Sequence, residues 1–309
     1  MILASFNILH YKNYEETMRC VDSLLKLRGI DKCLILIYDN GSGDGSDDIL
    51  WNKYKKYKNI KVIVNTEADG FSRGNNKAYA IAKKYDPRFI IAANNDIVIK
   101  QKDFLYRLLQ VSKKDRYYII GPDIYAPTVA EHQSPLYAEY PTAAHVEADM
   151  AVVRGRIEDI DEGVKWETNR LKKNRIKKYL PKQAIEAVRY FTGNKKMEDW
   201  KKEIENPVFS GSFLIVTNHF IRENDILFQP ETRFYFEELL LAGRCREKGY
   251  KTLYTPKLKI YHMHGASTIK AYDDIRNYLE FKYTNMLDSY EIYKKEEERR
   301  NDSSSDGNI

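Results

Sequence analysis

A chain of 309 residues with 43% hydrophobic and 13% aromatic content can bury a sizeable core, which excludes a disordered or fibrous protein. Its formal net charge of +6 is too mild for a dedicated nucleic-acid binder and suits an anionic substrate such as a diphosphate, or an anionic membrane surface. Cys20, Cys33 and Cys245 form no CxxC pair, so no disulfide framework or cysteine zinc site is indicated and a reducing cytoplasm is expected.

Ile2–Leu9 reads as a buried first strand; it has no basic leader or cleavage site, so no signal peptide is expected. Glu15–Leu27 carries Met18, Val21, Leu24 and Leu25 at helical spacing. Cys33–Tyr38 is a short apolar run ending in Asp39-Asn40-Gly41-Ser42, and Asp47–Tyr57 is helical in pattern. Ile60–Val64 is a β-branched strand, Gly74–Tyr85 a helix, and Phe89–Ala93 a strand ending in Asn94-Asn95-Asp96. Strands alternating with helices predict parallel βαβ units in a doubly wound α/β sheet. Ligands of such sheets bind beyond the carboxyl ends of the strands, where both polar clusters fall.

The pattern then changes. Pro122–Met150 reads as irregular loop with short strands, and Gly155–Asn206 as a highly charged, mostly helical stretch. Its basic run includes Lys172, Lys173, Lys177 and Lys178, which is either a solvated helix face or a docking face for anionic lipid or an acceptor diphosphate. Val208–Thr217 returns to strand character, Arg233–Gly249 is a loop leading into a helix, and Lys251–Tyr261 carries short strands. Asp273–Arg300 reads as a long charged helix, and Asn301–Ile309 as a disordered tail. No apolar run approaches the roughly 20 residues of a membrane-spanning helix, so any membrane contact is expected to be peripheral.

Several segments have chemical content of their own. Asp39, at a strand end, can accept a hydrogen bond from a pyrimidine N3–H, although the turn after it can equally be a helix cap. Gly70–Asn76 permits close backbone approach just before a helix N-terminus, a favourable place for phosphate, and Arg73 adds charge there. Glu237 and Glu238 suit a helix start on electrostatic grounds alone, or supply a base beside the apolar Phe234-Tyr235-Phe236.

Taken in order, these segments, with Phe236-Glu237-Glu238-Leu239 and His262–Ser267, resemble the family 2 glycosyltransferases of the GT-A fold. The likeness is greatest to the bacterial branch that builds surface polysaccharides and includes many rhamnosyltransferases. It covers roughly Ile2 to Thr268, interrupted by the charged insertion. The resemblance implies a GT-A domain over 1–268, with a nucleotide-binding half (1–122), an acceptor half (123–268) and a helical insertion at about 155–206. A C-terminal helix and tail (269–309) would follow.

The resemblance also implies roles. Asp39 would contact the base, with Tyr11 beside it or else in the core. Gly70, Arg73 and Asn76 would lie along the diphosphate. Asn94 would lie near the ribose, with Asn95 next to it, and Asp96 would be the metal-binding carboxylate of a DxD-type motif reduced to one acid. His262 would complete the site for Mn²⁺ or Mg²⁺, and His264 is expected to point away. Glu238 would be the base, with Glu237 orienting the helix start or touching the acceptor. Here Glu replaces the family's usual Asp, and Leu240 stands where relatives often carry another acid. Ser210-Gly211-Ser212 precedes the strand facing the acceptor, so Ser212 would line the sugar pocket or merely allow close packing. The implied reaction is an inverting, metal-assisted transfer from a nucleotide-sugar donor, dTDP- or UDP-linked, to a saccharide or lipid-linked saccharide. It would take place in the cytoplasm, either free or at the inner face of the membrane, without nucleic acid.

Two rival functions are open. A sugar nucleotidyltransferase would share the α/β fold, but its glycine-rich loop normally follows the first strand, and Leu9–Tyr14 has no glycine. A non-catalytic nucleotide-sugar-binding subunit of a polysaccharide assembly complex would hold a donor without turning it over.

Overall fold

In the computed structural model the described residues are 2–177, 198–263 and 274–305. The first half runs β1 (Ala4–His10), α1 (Tyr14–Leu24), β2 (Leu34–Asn40), α2 (Ser46–Tyr54), β3 (Ile60–Asn65), α3 (Gly70–Lys83) and β4 (Phe89–Asn94). Then follow β5 (Ile97–Val98), α4 (Phe104–Ser112), β6 (Ile119–Ala126) and β7 (Glu131–His132). Two helices, α5 (Ala143–Glu158) and α6 (Ile160–Lys177), lead into β8 (Ile204–Glu205), β9 (Phe213–Thr217) and α7 (Asn218–Glu223). The chain closes with α8 (Glu237–Glu247), β10 (Thr252–His262) and α9 (Ile275–Ser305).

One mixed sheet organises these elements, in the order β3-β2-β1-β4-β9-β6-β10-β5, with β7 on β6 and β8 on β10. β1 pairs in parallel with both β2 and β4, β2 with β3, and β6 with β10. β9 is antiparallel to both β4 and β6, and so reverses the sheet at its centre. The central strands β1 and β2 are almost wholly buried, which is why they read as continuous apolar runs. One core lies between the sheet and α1, α2 and α4, and a second gathers Tyr79, Phe220, Phe228 and Tyr254 on the other face. A third joins α5, α8 and α9 through Val146, Met150, Leu240, Tyr283 and Tyr293. Among the described residues no helix is long and apolar enough to cross a membrane.

The registers His10↔Asp39 and Leu9↔Asn94 bring the ends of β1, β2 and β4 to one edge. Asp39 and Asn94 therefore flank the same strand end although 55 positions separate them in the sequence.

Four expectations change. Helix α3 starts at Gly70, so Gly70–Asn76 forms the first turns of the helix and not a loop ahead of it. The Pro122–Met150 stretch contains a helix start: Thr142 caps α5 by accepting from the His145 N–H at 3.2 Å, and Val146, Met150 and Val153 form its buried stripe. The short strands expected over Lys251–Tyr261 are one strand, β10, with an irregularity between Thr255 and Lys259. Finally, α9 continues through Asn301–Ser305, where a disordered tail was expected, because Arg299 and Arg300 tie its last turns to Glu247.

Candidate active site

The turn after β2 is built around Asp39, which is almost fully buried. Its Oδ1 accepts from the Ser42 N–H at 3.1 Å and from the Ser42 hydroxyl. Ser42 Oγ in turn accepts from the Lys12 N–H at 2.8 Å, which ties the end of β1 to the turn. Below it His10 reaches Thr17 Oγ1 at 2.7 Å and Ser46 Oγ at 2.8 Å. Burial pushes the His10 pKa down against the pull of Asp39, Asp44 and Asp47, so the imidazole serves as a neutral spacer. Tyr11 is 40% exposed beside this turn and is not a core residue.

The α3 residues do structural work. A Cβ on Gly70 would lie 2.5 Å from Arg233 Cγ and 2.7 Å from its carbonyl oxygen, so the glycine admits the 233 backbone, whose carbonyl accepts from Phe71 N–H at 2.7 Å. Arg73 Nε donates to the Pro230 carbonyl at 3.0 Å. Asn76 Oδ1 accepts from Leu227 and Phe228 N–H at 2.9 and 2.8 Å, and its Nδ2 donates to the Phe228 carbonyl at 2.8 Å. The physical reason is the early helix start: these side chains face the 227–233 segment, which needs hydrogen-bond partners for its main chain.

At the end of β4 the three motif residues diverge. The Asn94 N–H donates to the Ser212 carbonyl at 2.9 Å. Asn95 turns back to α1, where Nδ2 donates to Thr17 Oγ1 at 3.1 Å and to the Asn13 carbonyl at 3.3 Å. Asp96 Oδ1 lies 3.0 Å from His262 Nε2, and both side chains are under a tenth exposed. The strand pairing His262↔Ile97 and a bond from Met263 N–H to the Asp96 carbonyl at 3.0 Å fix that approach. The other imidazole nitrogen, Nδ1, is 2.6 Å from Gln133 Oε1. Gln133 carries no sequence signal, because its place depends on β7 folding back along β6. His264 lies outside the described residues. Ser212 and Ser210 are buried and share a hydroxyl contact at 3.0 Å.

The pair Asp96 and His262 fits a divalent ion. Cis ligands of an octahedral ion bound at about 2.1 Å stand about 3.0 Å apart. The observed 3.0 Å is equally that of an ordinary hydrogen bond, so what suits such an ion is the donor set, one buried carboxylate and one imidazole. No group of three side-chain ligands occurs among the described residues, so other positions would fall to diphosphate oxygens or water.

Glu237 and Glu238 open α8 behind an unusual turn: Tyr235 and Phe236 both adopt the left-handed region, with φ of 67° and 63°. Such backbone costs about 1–3 kcal/mol per non-glycine residue and persists where packing over-determines it. Here Phe236 is clamped against Tyr290 and Tyr293 of α9, with ring centroids 5.7 and 5.4 Å away. Glu237 is 6% exposed and its Oε2 has no hydrogen-bond partner among the described residues. Burial and then the neighbouring Glu238 hold its carboxyl well above the usual range. Burial raises Glu238 too, against the pull of its own helix-start N–H and that of Gly211. Glu238 differs in access, since it borders a cavity of about 730 Å³. Phe209, Leu214 and Leu241 line that cavity, with Tyr140 and Arg246 further along. Of the expected site residues it touches Glu238 alone, and it runs along α8 towards Thr252 at the start of β10. It shares no lining residue with the cluster of Asp39, Asn94, Asp96 and His262.

A mixed sheet with its switch at β9, and polar residues gathered at the strand ends, defines a GT-A fold. The chain matches the glycosyl transferase family 2 over residues 5–196 and belongs to that family. No curated protein sequence matches it. Among solved structures it is similar to the mannosyltransferase PcManGT from Pyrobaculum calidifontis in complex with GDP-Man and Mn²⁺ (TM-score 0.54, 11% identity, covering 87% of this chain and 59% of that one). It is also similar to S. aureus TarS 1–349 in complex with UDP-GlcNAc (TM-score 0.52, 14% identity, covering 86% and 61%). A third is GalNAc-T7 with UDP, GalNAc and Mn²⁺ (TM-score 0.50, 11% identity, covering 85% and 44%). The chain spans about three fifths of the length of the first of these structures. At such identities the likeness speaks for the fold.

Proposed function

We propose that the protein is an inverting glycosyltransferase that moves a sugar from a nucleoside-diphosphate sugar to a hydroxyl acceptor in bacterial surface-polysaccharide synthesis. The observation that carries this reading is the carboxylate of Glu238, which borders an open cavity and is fixed by the N–H of Gly211, the residue before the Ser212 whose carbonyl accepts from Asn94. Residues 1–122 hold the donor in this reading and 123–268 the acceptor. Asp39 and Tyr11 meet the base, and Asn94 the ribose. The GDP-Man, UDP and UDP-GlcNAc complexes of fold relatives support a nucleotide-sugar donor as the ligand class. Within that class we favour a dTDP- or UDP-sugar, with dTDP-rhamnose first.

In the reaction, Glu238 takes the proton of the acceptor hydroxyl as its oxygen bonds to the anomeric carbon. The bond from that carbon to the diphosphate oxygen breaks on the opposite face, and the configuration inverts. Glu237, sealed behind Glu238, orients the helix start. A divalent ion held by Asp96 Oδ1 and His262 Nε2 would supply Lewis-acid stabilisation of the departing diphosphate. Release of nucleoside diphosphate from a panel of dTDP-, UDP- and GDP-sugars, with Mn²⁺ or chelator, tests the reading. Acceptor-dependent release that chelator and Asp96→Ala both abolish is expected. A donor that binds without turnover would identify a binding subunit instead. A bound donor at 100 times its dissociation constant should stabilise the fold by about 2.7 kcal/mol.

The exposed Lys172 and Lys173 on α6 favour peripheral docking to an anionic membrane or a lipid-linked acceptor. Lys178 and the side chain of Lys177 lie outside the described residues. Neutralising Lys172 and Lys173 should weaken binding to anionic vesicles at low salt. Equal binding by both forms would leave a solvated helix.

A further inference from the structure

The contact between Gln133 and His262 carries a consequence for the metal. A neutral imidazole has one N–H, and the partner of one nitrogen decides which nitrogen carries it. Gln133 Oε1, 2.6 Å from Nδ1, is an acceptor only, so Nδ1 holds the hydrogen. Nε2 is then the nitrogen on the Asp96 side, 3.0 Å from Oδ1, and the one that can exchange its contact with the carboxylate for a bond to an ion. An ion bound at about 2.1 Å to both atoms would sit to the side of the line between them, as cis ligands require. In the opposite tautomer Nε2–H would donate to Asp96 and the ligand lone pair would be lost. That arrangement would require Gln133 to turn its amide NH₂ towards Nδ1.

We propose that Gln133 is a positioning residue that selects the metal-binding tautomer of His262 through the Nδ1–H···Oε1 bond. Its backbone is suited to the task, because Gln133 N–H donates to the Ile124 carbonyl at 2.8 Å and so docks the residue on β6. Strand β6 pairs with β10, which ends at His262, so the two side chains approach from the same patch of sheet. The inference rests on the metal-assisted reading above and assigns a residue with no part in the sequence motifs. Outer partners of metal-bound histidines orient the ring and fix its tautomer, and losing one typically costs about 10–100-fold in metal affinity.

The test is Mn²⁺ binding by calorimetry and pulsed electron paramagnetic resonance, with UDP, dTDP and GDP each at saturation. Compared are the wild type, Asp96→Ala, Gln133→Leu and Gln133→Glu. Gln133→Leu removes the acceptor and should weaken Mn²⁺ by about 10–100-fold, with loss of the imidazole-nitrogen coupling to the ion. Gln133→Glu keeps an acceptor oxygen and should retain both the affinity and the coupling. Thermal melting reports whether each variant is folded. Unchanged affinity and coupling in Gln133→Leu would overturn the proposal, as would loss of both in a folded Gln133→Glu. A wild type that takes up no Mn²⁺ with any nucleotide, or an Asp96→Ala variant that binds it equally well, would remove the metal reading itself and this inference with it.

Discussion

The Gly211 N–H donates to Glu238 Oε1 at 3.0 Å, and a Cβ at position 211 would lie 2.8 Å from that same oxygen. Helix α8 thus presses its carboxylate onto residue 211, where any side chain would displace the end of the glutamate, and the N–H fixes the oxygen while the cavity stays open beside it.

That relationship yields the first prediction. Glu238→Gln keeps the shape and removes the base, so turnover should fall by about 10²–10⁴ while donor affinity stays near wild type. Gly211→Ala should also lower turnover, because the added methyl displaces the carboxylate. Single-turnover transfer and donor titration separate the two quantities. Loss of turnover in Glu237→Gln with Glu238→Gln active would shift the base by one residue.

Glu237 gives a pH-dependent prediction. Its folded-state pKa is raised by burial and by Glu238, so the folded state binds more protons than the unfolded state above the ordinary glutamate value. The stability associated with this carboxyl is fully present below about pH 4 and is lost as pH rises through its raised folded value. Stability should therefore decline across that window in the wild type and decline less steeply in Glu237→Gln. Urea melts at several pH values measure the slope. Parallel slopes for the two proteins would contradict the assignment.

Asp39 and Asn76 form a contrasting pair. Asp39 holds its own turn through Ser42, so Asp39→Ala should weaken nucleoside-diphosphate binding and also cost about 1–3 kcal/mol of stability. An intact fold with only binding lost is thus not expected. Asn76 spends its amide on Leu227 and Phe228, so Asn76→Ala should show a stability loss of similar size with nucleotide affinity retained. Calorimetric titration beside thermal melting tells them apart. Lost affinity in a stable Asn76→Ala would return this residue to the donor site.

The amino-acid sequence by itself determined the alternation of strands and helices and the polar clusters at the ends of β2 and β4. Those features are written locally, in apolar runs and turn residues, and the parallel sheet then carries the clusters to one edge. The start of α3 at Gly70 was beyond local reading, because that helix begins where Arg233 docks against a glycine. So was the use of Asn76, whose partners at 227 lie 151 residues away. The residue after β7 meets the end of β10 only once the sheet is assembled, which brings Gln133 to His262 across 129 positions. Glu238 likewise finds Gly211 only when α8 settles over β9, 27 residues from it. Short-range patterning states which residues can form a strand or a helix; only the closed sheet decides which side chains are left facing one another, because hydrogen-bond partners there come from segments the chain brings together last.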